Sequence, residues 1–178
     1  MARGWQAGVG VVALAVVAGT PATAEAVEVS GGVSVGGLLV GTVPHLTVSP
    51  HVGLGWSWEN GFLFAVHDLG SILPATSKNG VGFYNQTSAA IGYASEERNF
   101  SIGPSLSFYT MPACGATLCG RVLGVGPGVH AQVNAYFFGR LGLSVNANLD
   151  WIGGRSLVLP GGLATMVVAG PIVRWMSE

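Results

Sequence analysis

The sequence predicts an all-β protein, an eight-stranded antiparallel up-and-down transmembrane β-barrel. Three observations point there: a nearly uncharged composition, a period-two alternation of apolar and polar residues repeated eight times, and connections that alternate between short and long. Asp, Glu, Lys and Arg make up 8% of the 178 residues, against about 25% in a typical soluble domain. Apolar residues make up 49%, glycine occupies 29 positions and the formal net charge is −1. Such a chain cannot cover a soluble helical bundle with charge, and it is too apolar to stay disordered. Seven scattered Lys and Arg make no basic face for nucleic acid.

Residues 1–26 have the pattern of a cleavable export signal: Arg3, an apolar stretch from Gly8 to Gly19, then small residues at Ala22-Thr23-Ala24 or Ala24-Glu25-Ala26. Residues 27–178 are then the barrel domain. The apolar stretch is shorter than the roughly 20 residues a spanning helix needs. No Cys follows the cleavage site to carry a lipid anchor. Later in the chain the longest apolar run, residues 162–173, contains Pro171. Without a spanning helix, only a closed barrel satisfies the backbone in hydrocarbon.

The strands follow in order. Weak alternation over 27–40 is followed by a clear pattern over 45–58, where Leu46, Val48, Pro50, Val52, Leu54, Trp56 and Trp58 oppose His45, Thr47, Ser49, His51, Gly53, Gly55 and Ser57. The third and fourth segments, 61–69 and 82–95, alternate weakly. Over 100–108, Ile102, Leu106 and Phe108 oppose Ser101, Ser105 and Ser107. Over 122–137, Leu123, Val125, Val129, Val133 and Phe137 oppose Gly124, Gly126, His130, Gln132, Asn134 and Tyr136. Residues 141–151 give the clearest case, Leu141, Leu143, Val145, Ala147, Leu149 and Trp151 against Gly142, Ser144, Asn146, Asn148 and Asp150, and 162–175 closes the set. Period two over such lengths is the strand signature. Short turns at 59–61, 96–99 and 138–140 alternate with longer connections at 70–81, 109–120 and 152–161, the first external one being brief. Membrane barrels alternate short periplasmic turns with longer external loops in this way.

Alternation alone leaves open which face points outward, because soluble barrels alternate as well. The polar face is Gly, Ser, Asn, Thr, Gln and His, almost without charge. Solvated, it would carry Lys, Asp and Glu; uncharged and small, it suits a lumen just wide enough for side chains to fill. The apolar face then meets lipid. Aromatic residues gather near strand ends: Trp56, Trp58, Phe62, Tyr93, Phe100, Phe137 and Trp175 at the short-turn end, and Phe83, Phe108 and Trp151 at the other. Two interfacial belts are expected of amphipathic rings at a bilayer.

With these features the chain resembles the small eight-stranded outer-membrane barrels of Gram-negative bacteria over residues 27–178. The resemblance is architectural and carries no motif of one member. It implies residence in the outer membrane, contact with its lipid, and delivery by the barrel-insertion machinery. Members of that group commonly end in an aromatic residue; here Trp175 is followed by Met176-Ser177-Glu178.

Few residues suggest chemistry. Cys114 and Cys119 lie in the third external connection, and an exported pair closing a small loop is expected to form a disulfide. His51 and His130 share the polar face of strands two and six and are expected to approach across the lumen; interior hydrogen bonding is favoured over a metal or proton-relay site, since two ligands without a third are weak evidence. The lumen is assigned to His51, Tyr84, Gln86, His130, Gln132, Asn134, Tyr136, Ser144, Asn146 and Asn148. Glu28 and Arg174 face inward on the first and last strands, where closure would bring them together as an ion pair. The glycines of 124–128 make room for Tyr84 and Tyr136.

One deacylase family of outer-membrane barrels uses His-x-Ser, yet none of His45, His51, His67 and His130 has Ser two residues later. His67, Asp68 and Ser71 form the sole triad-like grouping and read as a polar external rim. No catalytic residue, metal site or cofactor is assigned. The expected function is structural or surface-interacting, in a monomer without a wide channel, with the external loops contacting any extracellular ligand. A lipid-modifying enzyme and a soluble barrel holding an apolar ligand are the alternatives.

Overall fold

The computed structural model describes residues 26–40, 43–73, 81–114, 119–155 and 160–177. They form β1 (Ala26–Val40), β2 (Val43–Ser57), β3 (Phe62–Leu73), β4 (Gly82–Ala94), β5 (Arg98–Cys114), β6 (Cys119–Tyr136), β7 (Leu141–Arg155) and β8 (Pro160–Ser177). Each strand pairs antiparallel with its neighbour in sequence, and β8 returns to β1, from Val27↔Ser177 at one end to Val40↔Ala164 at the other. The barrel is therefore closed and leaves no unpaired edge. Residues 1–25, the bulk of the expected export signal, lie outside the described residues.

Local chemistry sets the short turns. After β2, Gly61 donates to Trp58 O at 2.8 Å, and the Asn60 side chain accepts the Phe62 N–H at 2.9 Å. Gly61 has φ +78, as a three-residue hairpin connection requires. Between β4 and β5, Ser95 and Arg98 exchange hydrogen bonds through the Ser95 hydroxyl.

The long-loop end differs from the expected pattern. The segments read as loops at 109–120 and 152–161 are largely strand, because β5 and β6 stay paired up to Cys114↔Cys119 and β7 and β8 up to Arg155↔Pro160. β3 likewise runs on to Leu73. The asymmetry between the two ends is thus partly one of strand overhang. Gly, Ala, Pro and Cys in 112–120 weaken the alternation, but cross-strand pairing carries the ribbon on regardless.

The lumen has two characters. Its short-turn and middle portions hold the polar side chains Glu28, Ser30, His51, His67, Asn99, Ser101, His130, Gln132, Asn134, Asn146 and Arg174, all buried. Toward the loop end, Leu38, Val40, Leu69, Leu73, Tyr84, Tyr109, Ala164, Met166 and Val168 form an apolar cluster. A wholly polar interior was expected; β3 and β8 instead turn apolar side chains inward, including Leu63, Leu69, Met166 and Ile172.

Candidate functional site

The lumen is built in three layers. At the short-turn end Arg174 enters from β8 with its guanidinium 3.9 Å from the Tyr136 ring centroid. Its Nη1 stands 3.9 Å from Glu28 Oε2, and it donates to the carbonyls of Gly139, Ser95 and Glu96. Glu28 accepts from Asn99 Nδ2 at 3.0 and 2.9 Å and from the Tyr136 hydroxyl at 3.0 Å. Both charges are under 10% exposed. Burial of this kind is tolerated only when hydrogen bonds complete the pair, and here they come from β5, β6 and two turns. The side of the pair facing the short turns opens into a hollow of about 740 Å³, bordered by Glu96, Glu97, Arg140 and Arg174.

The middle layer holds three histidines. His51 lies within 3.5 Å of Ser34 Oγ, His67 Nε2 is hydrogen-bonded to Ser101 Oγ at 3.1 Å, and His130 Nδ1 to Asn148 Oδ1 at 2.5 Å. The ring beside His130, at 5.2 Å between centroids and tilted by 46°, is that of His67. The sequence predicts His51 opposite His130 and His67 on the rim; the parity of His67 with Leu63 and Ala65, both buried, is the signal that places it inside. Among the described residues no group of three His, Cys, Asp or Glu is arranged to hold a metal ion. Gln132 donates to Ser144 at 3.1 Å and Asn146 to the same hydroxyl at 3.0 Å. A void of only about 10 Å³ lies among Glu28, His67, Asn99 and Gln132.

In the third layer the Tyr84 hydroxyl donates to Asp150 and is hydrogen-bonded to Ser107 at 3.1 Å, while Ser105 donates to Asp150 at 3.0 Å. Asp150 had not been singled out; its place on the polar face of 141–151 is where the sequence shows it. A Cβ at Gly128, paired with Asp150, would collide with that carboxylate, and one at Gly124 with the Tyr109 ring. The glycines of 124–128 thus make room for Asp150 and Tyr109, whereas Tyr84 and Tyr136 had been expected there. Gln86 is buried within the same wall.

The triad-like grouping does not converge. His67 and Ser71 point into the lumen, and Ser71 is bonded to Ser49 at 2.7 Å. Asp68 lies on the outward face with Asn85 and Thr87, by the strand alternation and register. The grouping is therefore neither a rim nor a catalytic site.

The outward face is mostly apolar on every strand, with Val33, Leu46, Ile72, Ile91, Leu106, Val129, Leu143 and Val167 exposed, and polar at Asp68, Asn85 and Thr87. Phe62, Tyr93 and Phe100 pair in a row across β3, β4 and β5, and with Phe137 and Trp175 they stand exposed at the short-turn end. Phe83 and Trp151 are exposed at the other end, where Phe108 is half-buried. Trp58 is half-buried and lies 5.3 Å from Phe62. Trp56 departs from an exposed belt position: it is 2% exposed, 5.7 Å from the Phe64 ring with which it pairs in register. Cys114 and Cys119 stand opposite each other in the register, but their side chains, like residues 41–42, 74–80, 115–118 and 156–159 of the expected contact loops, lie outside the described residues.

Comparison with known proteins gives the fold. No protein-family model and no curated protein matches the chain. Among solved structures, Neisserial surface protein A is similar over 84% of this chain and 99% of its own, at TM-score 0.56 and 16% identity. The N-terminal β-barrel domain of Pseudomonas aeruginosa OprF aligns over 85% and 98%, at TM-score 0.52 and 13% identity. Ail, the attachment invasion locus protein of Yersinia pestis, aligns over 84% and 98%, at TM-score 0.58 and 9% identity. The chain has the fold of these small eight-stranded outer-membrane barrels.

Proposed function

We propose that the protein is an integral outer-membrane barrel with a structural or surface-interaction role, exported by its N-terminal signal and neither a porin nor an enzyme. The observation that carries this reading is the pairing of a closed, outward-apolar wall with a lumen packed by buried, mostly uncharged side chains. A soluble ligand-binding barrel needs the opposite: a charged exterior and an apolar cavity. Eight strands leave no aqueous pore once side chains fill the interior, so interaction falls to the loop end.

That end has a charge character of its own. The external segments 70–81, 109–120 and 152–161 carry Lys78 and Arg155, with Arg121 directly after the second, and contain no Asp or Glu. Anionic partners fit such a surface. Ail, which shares the fold, has been solved with the heparin analogue sucrose octasulfate; a sulfated or phosphorylated glycan is the corresponding ligand class for this chain.

The test is heat-modifiability after fractionation. A membrane-bound protein whose unboiled band runs ahead of the boiled one is expected. A water-soluble protein with no band shift would reverse the assignment of faces and leave the ligand-binding barrel as the better reading.

A further inference from the structure

Among the described residues the outward apolar band carries a cluster of polar side chains at one place. On β3 and β4, Asp68 pairs in register with Thr87, and Gly70 with Asn85. Asn85 Nδ2 donates to Asp68 Oδ1 at 2.8 Å and Thr87 Oγ1 to Asp68 Oδ2 at 3.0 Å. Along β4 the outward positions run Phe83, Asn85, Thr87, Ala89, Ile91 and Tyr93, with aromatic rings at both ends. Ten residues of a tilted strand cover about 25 Å along the membrane normal, the height of the apolar band of such barrels. Asn85 and Thr87 are the first two outward positions below Phe83; in register Asn85 stands beside Phe108, at the inner edge of the aromatic row, and Thr87 beside Leu106 of the apolar band. Among the described residues, Asp68 is the only charged outward side chain between the two aromatic rows.

Hydrocarbon supplies no water to a carboxylate. Asn85 and Thr87 give each oxygen one donor and leave its remaining lone pairs, the Asn85 carbonyl and the second Asn85 N–H facing outward into lipid. Polar side chains at such depth pair with one another or with a protein neighbour. Donors and acceptors sit together on one small patch, so the patch is complementary to itself, as a two-fold contact requires. A partner offering only a cation would answer the lone pairs but give the second Asn85 N–H no acceptor, and no outward Lys or Arg lies between the aromatic rows among the described residues. Ala89 beside the patch carries little bulk, and the Phe83 ring lies against Gly70 at its loop-end border.

We propose that Asp68, Asn85 and Thr87 form the contact by which two copies of this chain dimerise within the membrane, each patch hydrogen-bonding to the other's. This goes beyond the monomer expected from the sequence. It rests on the outer-membrane reading above.

The test uses the full chain in detergent and in phosphatidylcholine vesicles, read by sedimentation equilibrium and by energy transfer between labelled copies. The wild type is expected to dimerise. Asp68→Leu with Thr87→Val is expected to lower the dimer fraction at least tenfold while keeping the unboiled band shift. Asp68→Asn, which keeps an acceptor and adds a donor, is expected to remain dimeric. Should the double variant fail to fold, Asn85→Leu serves in its place. A wild type that shows the band shift yet stays monomeric at every protein-to-lipid ratio overturns the dimer alone. A dimer that survives loss of the patch, or one abolished by Asp68→Asn, overturns it too. Loss of the band shift in the wild type would instead strike the membrane reading, and the dimer with it.

Discussion

At the residue scale, the energetic weight falls on the buried charges. Glu28 is held by Asn99 and Tyr136, and Arg174 by Tyr136 and three carbonyls. The pair therefore ties β1, β5, β6 and β8 to two turns, which is more than a clasp at the closure. Removing Arg174 strands a carboxylate that is 8% exposed, and breaking a buried pair costs about 3–5 kcal/mol. Arg174→Ala is accordingly expected to lower the urea midpoint of the unboiled band, and an unchanged midpoint would refute the role. Glu28→Gln keeps the acceptor for Asn99 and should cost less. Gly61 offers a second residue-scale case. At φ +78 a side chain is disfavoured by about 1–2 kcal/mol, and a Cβ there would also meet the Tyr93 ring. Gly61→Val is expected to destabilise by at least that amount in the same assay, whereas Gly139→Ala, at φ +68 with open space around it, should show the conformational cost alone.

At the element scale, the sequence was legible where alternation was clean and failed where polarity was mixed. β6 and β7 show polar residues inward at every second position, and both faces could be read directly. β3 reverses that logic: Leu63, Ala65 and Leu69 point inward while Asp68 points outward. Alternation of hydropathy cannot assign such a strand, because apolar packing wins inside while β4 gives each oxygen of the outward carboxylate one donor. That is why His67, Asp68 and Ser71 looked like one grouping and are two. The β5–β6 ribbon was hidden for another reason. Its tip is rich in turn-forming residues, yet long pairing from Arg98 to Cys114 keeps it in register. There Cys114 and Cys119 are partners in the register, and directly opposed strand positions lie within the Cα separation a disulfide requires. The bridge is expected to show as a mass two hydrogens below that of the reduced chain. Cys114→Ser should speed protease cleavage at the tip several-fold while the unboiled band shift persists, since the barrel wall below does not depend on the bridge. Cleavage at an unchanged rate would mean that pairing alone holds the ribbon.

At the scale of the whole molecule, the three lumen layers bear on permeability. The Glu28–Arg174–Tyr136 layer closes the short-turn end, the histidine layer the middle, and the Tyr84–Asp150 layer with its apolar cluster the loop end. Each occupies its own level of the barrel, so opening one leaves the side chains of the others in place. The wild type is expected to give no steady conductance in planar bilayers, and so is Tyr84→Ala, because His130, Gln132 and the lower layer still block the path. Combining Tyr84→Ala and Tyr109→Ala with Arg174→Ala and Tyr136→Ala removes three rings and a guanidinium from both ends, leaving the middle layer as the one barrier. Small, flickering currents should then appear, provided the variant retains its band shift. A steady conductance in the wild type would show that the packed layers part in the membrane, and the channel function set aside on grounds of packing would have to be restored.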